Sequence, residues 1–186
     1  MSEAYQPWVE YPQFWKTESA FLSFIRGGVR RHLWSKNPVK LEFMKENRVK
    51  LVNTSTRSKK AHPFVWGFVC EHCKKSFKGS ACEVDHKRGE HSLRNVSDIQ
   101  RFVEGIVFVK KEDLQILCKP CHKAKTYAER EGMSVEQAII EKGVIEICKG
   151  KAAAIDAFLL DNGVKLTKKN KDLRRDAVRE VLSRRP

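Results

Sequence analysis

The chain has no stretch approaching the roughly 18 consecutive apolar residues that a membrane-crossing helix needs. It opens Met1-Ser-Glu-Ala-Tyr-Gln-Pro7, without the basic and apolar regions of a secretory leader. A soluble, cytoplasmic protein with no membrane partner is therefore expected. Acidic side chains are in short supply: 23 Asp and Glu stand against 37 Lys and Arg, a formal net charge of +14. That imbalance calls for a polyanionic partner, nucleic acid first and an acidic membrane surface second. Cysteine is sparse, and its six positions do not form the spread of a disulfide framework. Four fall into two Cys-x-x-Cys pairs, Cys70/Cys73 and Cys118/Cys121. This pattern favours metal. A redox Cys-x-x-Cys would need only one pair and a βαβ setting that the sequence does not offer. Cys82 and Cys148 stand alone and read as small buried hydrophobes.

What is present includes 41% apolar residues, enough for one good core or a compact centre with helical arms. Phe21, Leu22, Phe24, Ile25, Val29 and Leu33 recur at helical spacing and predict an amphipathic helix over 17–34. A second helix is expected over 39–48, and the polar, basic run 53–60 reads as a linker. The segment 64–70 is β-rich, with Phe64, Trp66 and Phe68 alternating as a core-facing strand should. Strand character is also expected at 106–109 and 114–118, with a loop or short helix over 92–104. After Pro120 a helix should run to about residue 130, and Ser134-Val-Glu-Gln137 has the form of a capping box opening a helix to about Lys142. Two more helices are expected, over 151–161 and 168–184. Residues 165–186 hold a local charge excess that suits either a phosphate-tracking arm or a solvated helix face. The expected division is a helical, basic segment 1–60, a metal-bound centre 61–131 and a basic helical segment 132–186.

Four thiolates presented two by two, each pair across a two-residue gap, suit a tetrahedral structural zinc. Such a site contributes on the order of 10 kcal/mol to folding, and the 44 residues between Cys73 and Cys118 look too irregular to hold together alone. A second polar constellation lies inside this frame. Asp85 and His86 should point to opposite sides of a strand, and His122 directly follows the last cysteine. If the strand ending at His86 pairs with 114–117 and the following helix packs on that hairpin, Asp85 and His122 converge on a divalent ion (Mg2+, Mn2+ or Ni2+). A neutral His86 could then take a proton from an attacking water. Lys125 and Thr126 lie on the helical face of His122, and Arg88 follows His86 closely; all three suit phosphate.

The string Val84-Asp85-His86 followed by Leu114-Gln-Ile-Leu-Cys-Lys-Pro-Cys-His-Lys-Ala-Lys-Thr126 resembles the signature of HNH endonucleases, in particular the stand-alone proteins of phages and prophages. The resemblance covers about 70–127. It implies an α+β fold, a ββα-metal core stapled by zinc and flanked by N- and C-terminal helical segments. It also implies hydrolysis of DNA, with His86 as general base and Asp85 and His122 as ligands of one catalytic divalent ion. One position departs from the pattern: Asp113 stands where the family has Asn. An ionised carboxylate accepts hydrogen bonds but cannot donate them, so Asp113 either braces the loop bearing His86 or serves as an accessory metal ligand. His91, five residues past His86, is a candidate substrate contact, whereas His72, inside the first cysteine turn, is expected at the surface, and His32 and His62 show no partner at an informative spacing. Two other readings stay open: a zinc module that binds nucleic acid without cutting it, and an adaptor presenting helices to a protein.

Overall fold

The computed structural model describes residues 5–89, 92–165 and 170–184. They form two compact units, Met1–Lys119 and Pro120–Pro186, in a mixed α+β arrangement. His91 lies outside the described residues, as does the expected helix start at 168–169.

In the first unit a short helix α1 (Pro7–Glu10) precedes α2 (Glu18–His32), whose first turn is capped by Thr17 accepting from the Ala20 N–H. A 3-10 turn at Trp34–Lys36 leads to α3 (Pro38–Asn47). Asn37 performs two tasks there. Its side-chain oxygen accepts from the Lys40 N–H at 3.1 Å, and its amide donates to the Ile106 carbonyl at 2.9 Å. The residue is buried, and its bond to the Ile106 carbonyl forms away from competing water.

Strand β1 (Arg48–Val52) fills the gap between the expected helix and the expected linker, and pairs antiparallel with β2 (Phe64–Val69). The pairing crosses the boundary expected at residue 60. The run 53–60 is a hairpin loop, and its order has a local cause. Buried Asn53 takes the Ser55 N–H on its side-chain oxygen and donates from its amide to the His62 carbonyl at 2.7 Å, while its own N–H reaches the Pro63 carbonyl at 2.8 Å. Strand β3 (Ser76–Lys78) completes a sheet of order β1-β2-β3. Gly67 lets these strands meet, because a Cβ there would lie 2.2 Å from the Phe77 carbonyl oxygen and 2.4 Å from Leu51 Cδ1.

Strand β4 (Cys82–His86), helix α4 (Ile99–Val107) and strand β5 (Leu114–Cys118) complete the first unit. Residues 106–107, expected to be strand, are the last turn of α4. Asn95 and Asp98 form a capping box ahead of it, and Phe102, Gly105 and Ile106 bury one helical face. β4 and β5 pair antiparallel as anticipated, with Cys82 opposite Cys118, Asp85 opposite Gln115 and His86 opposite Leu114. Phe43, Phe68, Val84, Val109, Leu114 and Ile116 form one core, with Trp34 and Cys82 against it. Leu22, Leu93, Phe102 and Ile106 form another.

Helix α5 (Lys119–Glu131) begins directly after β5. In the second unit Ser134 and Gln137 form the expected capping box, but α6 (Val135–Cys148) continues well past Lys142. Gly143 does not break it, because Leu182 Cδ1 packs where a Cβ would stand, at 2.8 Å, and Val144 is fully buried. Helices α7 (Ala152–Asp161) and α8 (Lys171–Ser183) close this core around Val144, Ile155, Leu159 and Val178, with Cys148 partly buried against it.

The double role of Asn37 predicts that Asn37→Ala lowers unfolding free energy by about 1–3 kcal/mol. Urea denaturation measures this; an unchanged midpoint would show that the two bonds contribute nothing net.

Candidate metal centre and active-site cleft

The β2–β3 connection turns sharply enough to present two sulfurs. The Cys70 N–H donates to the Lys75 carbonyl and the Lys74 N–H to the Cys70 carbonyl, both at 2.9 Å, with Lys74 in the left-handed region at φ 58°. Glu71 fastens this turn to β5: its N–H donates to the Ile116 carbonyl at 2.8 Å and its carboxylate accepts the Ile116 N–H at 3.0 Å. The second pair comes from the end of β5 and the first turn of α5. The sulfurs of Cys70, Cys73, Cys118 and Cys121 all lie within 4.8 Å of one another, and Cys73 and Cys118 are 4.0 Å apart. A tetrahedral ion with bonds of about 2.3 Å needs sulfurs about 3.8 Å apart, so the cluster can hold a structural metal such as zinc. Among the described residues it is the one such cluster of three or more metal-ligating side chains.

Electrostatics distinguish the cysteines. Burial pushes the Cys70 thiol up, but hydrogen bonds from the backbone of Cys118, Cys73 and His72 outweigh it and bring the value from 9.0 down to about 7. Cys82 behaves oppositely: burial, then the neighbouring charges of Cys118, Cys70 and Cys73, push it up to about 11. A fifth cysteine thus stands beside the cluster as a neutral thiol.

Alternation along β4 places Cys82, Val84 and His86 on one face and Asp85 on the other. Val84 is buried in the core, and the His86 imidazole stacks on the Trp34 indole, with centroids 4.9 Å apart and planes 24° apart. His86 Nε2 lies 2.9 Å from the Gly105 carbonyl oxygen. A carbonyl only accepts, so Nε2 carries the proton and, in the neutral ring, Nδ1 carries the lone pair. Asp85 receives a bond from Gln115 Nε2 at 3.4 Å, and the same amide donates to the His86 carbonyl at 3.0 Å.

His86 lines a cleft of about 630 Å3, together with Lys87, Arg88, Arg101, Glu104, Gly105, Phe108 and Asp113 among others. Asp113 closes the 3-10 turn Lys111–Asp113 and is exposed. It braces the segment that follows His86 through its main chain: the Lys87 N–H donates to the Asp113 carbonyl at 2.7 Å, and Lys87 Nζ donates to the Glu112 carbonyl at 2.8 Å. An amide side chain is not required for that contact.

His122 and Lys125 sit half-buried on α5, and Thr126 is exposed. Lys125 Nζ pairs with Glu129 at 2.5 Å, and the Thr126 hydroxyl donates to the His122 carbonyl at 3.0 Å. Asp85 belongs to the first unit and His122 to the second. The arginines of α8 are largely committed to carboxylates within their own unit: Arg174 to Asp156 at 2.8 and 3.1 Å, Arg175 and Arg179 to Glu141, and Arg184 to Glu180. These pairings favour a solvated, ion-paired helix face over a phosphate-tracking arm. Trp34 and Gly105 were invisible as site residues, since neither carries a motif and both reach His86 only through the tertiary fold. No family model, curated protein or solved structure matches the chain.

Cys118→Ser should abolish metal retention, read as metal per chain by atomic emission, and sharply lower the thermal midpoint; a variant keeping both would exclude the four-cysteine site.

Proposed function

We propose that this chain is a metal-dependent HNH-type endonuclease that cuts or nicks double-stranded DNA, built on a ββα-metal core with a structural zinc on Cys70, Cys73, Cys118 and Cys121. The observation that carries the reading is His86: an imidazole stacked on Trp34 and bonded through Nε2 to the Gly105 carbonyl, at a cleft lined by Lys87, Arg88 and Arg101 together with Glu104, Glu112 and Asp113. The order β4, β5, α5 supports it, as do the signature string and the net charge of +14.

In this reading the Gly105 carbonyl holds the His86 proton on Nε2, and Nδ1 accepts a proton from the attacking water. Trp34 restrains ring rotation, so the lone pair keeps one direction through the reaction. Asp85 and His122 would hold the divalent ion, a carboxylate and imidazole donor set suited to Mg2+, Mn2+ or Ni2+. When bound, that ion supplies charge neutralisation at the scissile phosphate and at the leaving oxygen. Arg88 and Arg101 draw the phosphate backbone to the cleft, Lys125 and Thr126 are further phosphate contacts, and Asp113 opposes the backbone with its negative charge.

Plasmid nicking with each metal added back tests this. Wild type should convert supercoiled DNA only with added divalent ion, and His86→Ala should lose about 100- to 10,000-fold in rate while still shifting DNA. If neither protein cuts and both shift DNA, the chain is a zinc module that binds nucleic acid without cutting. Asp113→Asn retains the main-chain brace and removes a like charge, so DNA affinity at low salt should rise several-fold; weaker binding would show that the carboxylate helps to build the cleft.

A further inference from the structure

Strand β2 does not remain in the core along its length. Phe64, Trp66 and Phe68 share one face, but only Phe68 is buried, at 7% exposure; Trp66 is 55% exposed and Phe64 49%. The core-facing expectation therefore holds for one ring and fails for two, because the β1–β2 hairpin extends past the edge of the packed centre. Two large rings held in solvent on a regular strand need another explanation.

Their neighbours supply one. The register places Lys50 opposite Trp66 and Val52 opposite Phe64 on this same face. The Arg48 guanidinium lies 4.4 Å over the Trp66 ring, and Lys50 Nζ lies 4.3 Å over the Phe64 ring. The two rings, two residues apart, are spaced by about 7 Å along the strand, a distance that one nucleotide of an extended strand can span. The hairpin loop adds exposed Arg57, Lys59 and Lys60, and no Asp or Glu occurs between Glu46 and Glu71. A polyanion with flat apolar faces gains from both features.

We propose that the outer half of the β1–β2 face binds a single-stranded segment of nucleic acid. Phe64 and Trp66 stack successive bases while Arg48 and Lys50 meet the adjoining phosphates. Exposed aromatics with flanking cations bind single strands because every base has a π-face, whereas a duplex keeps its bases stacked on one another. The surface is separate from the His86 cleft and does not rest on the nuclease reading, since none of its residues takes part in the proposed chemistry.

Fluorescence anisotropy, without added divalent metal, tests it with labelled dT10 and an abasic strand of equal length. Wild type should bind dT10 more tightly than the abasic strand. Trp66→Ala and Phe64→Ala should each weaken dT10 binding about ten-fold with little change in abasic binding or thermal midpoint, and Trp66→Phe should recover most of the loss. Arg48→Ala should weaken both strands and flatten the salt dependence by about 0.7 in log–log slope. Equal wild-type affinity for the two strands would reduce the surface to a site for any polyanion and overturn the proposal. So would a Trp66→Ala variant that binds dT10 as wild type does, or one whose loss on both strands follows a lowered thermal midpoint while Phe64→Ala binds normally. Loss of nicking in His86→Ala would leave all these outcomes unchanged.

Discussion

Four sulfurs within 4.8 Å of one another set the terms for the centre of this protein. Without a shared cation, thiolates at such spacing repel one another, and their charges add to burial in raising the neighbouring Cys82 thiol. With a cation, the turn after β2, the end of β5 and the first turn of α5 become one fixed point. Strand β4, which carries both Asp85 and His86, is thereby anchored to β5 at the end opposite the histidine, because Cys82 and Cys118 are cross-strand partners. The hydrophobic centre around Phe68, Val84 and Ile116 builds on that fixed point.

The rest of the candidate site comes from segments remote in sequence. Trp34 enters from the turn after α2 and Gly105 from the last turn of α4, and the two hold the His86 ring by stacking and by one hydrogen bond. Asn37 ties these two suppliers together by bonding the Ile106 carbonyl. The N-terminal helices are thus part of the wall behind His86.

What could be read beforehand followed from short-range pattern. The Cys-x-x-Cys spacing, the Ser134 capping box, the β4–β5 pairing and the helix after Cys118 each depend on residues a few positions apart or on strong alternation. What could not be read depended on tertiary context. Period-two alternation showed that Phe64, Trp66 and Phe68 share a face, but burial of that face depends on where the hairpin lies, so two of the three rings were misjudged. The segment at 106–107 is rich in β-branched residues, yet Phe102, Gly105 and Ile106 at helical spacing found a buried surface, and packing overrode propensity. The basic residues of α8 could be counted, but their partners, Glu141 and Asp156, lie on other helices.

The β4–β5 register has a consequence of its own. A strand cannot slip by a fraction of a residue, and a slip of one turns each side chain to the opposite face. Cys118 terminates β5 and is one of the four cluster sulfurs, so a slip would draw it away from the other three. The cluster therefore acts as an alignment pin: it admits one pairing of the hairpin and rejects its neighbours outright. Mutational drift along β4 and β5 can change which residues occupy the positions, but as long as the pin holds it cannot gradually rotate His86 out of its place beside Trp34. Change at this site has to come by replacement of a side chain, one position at a time.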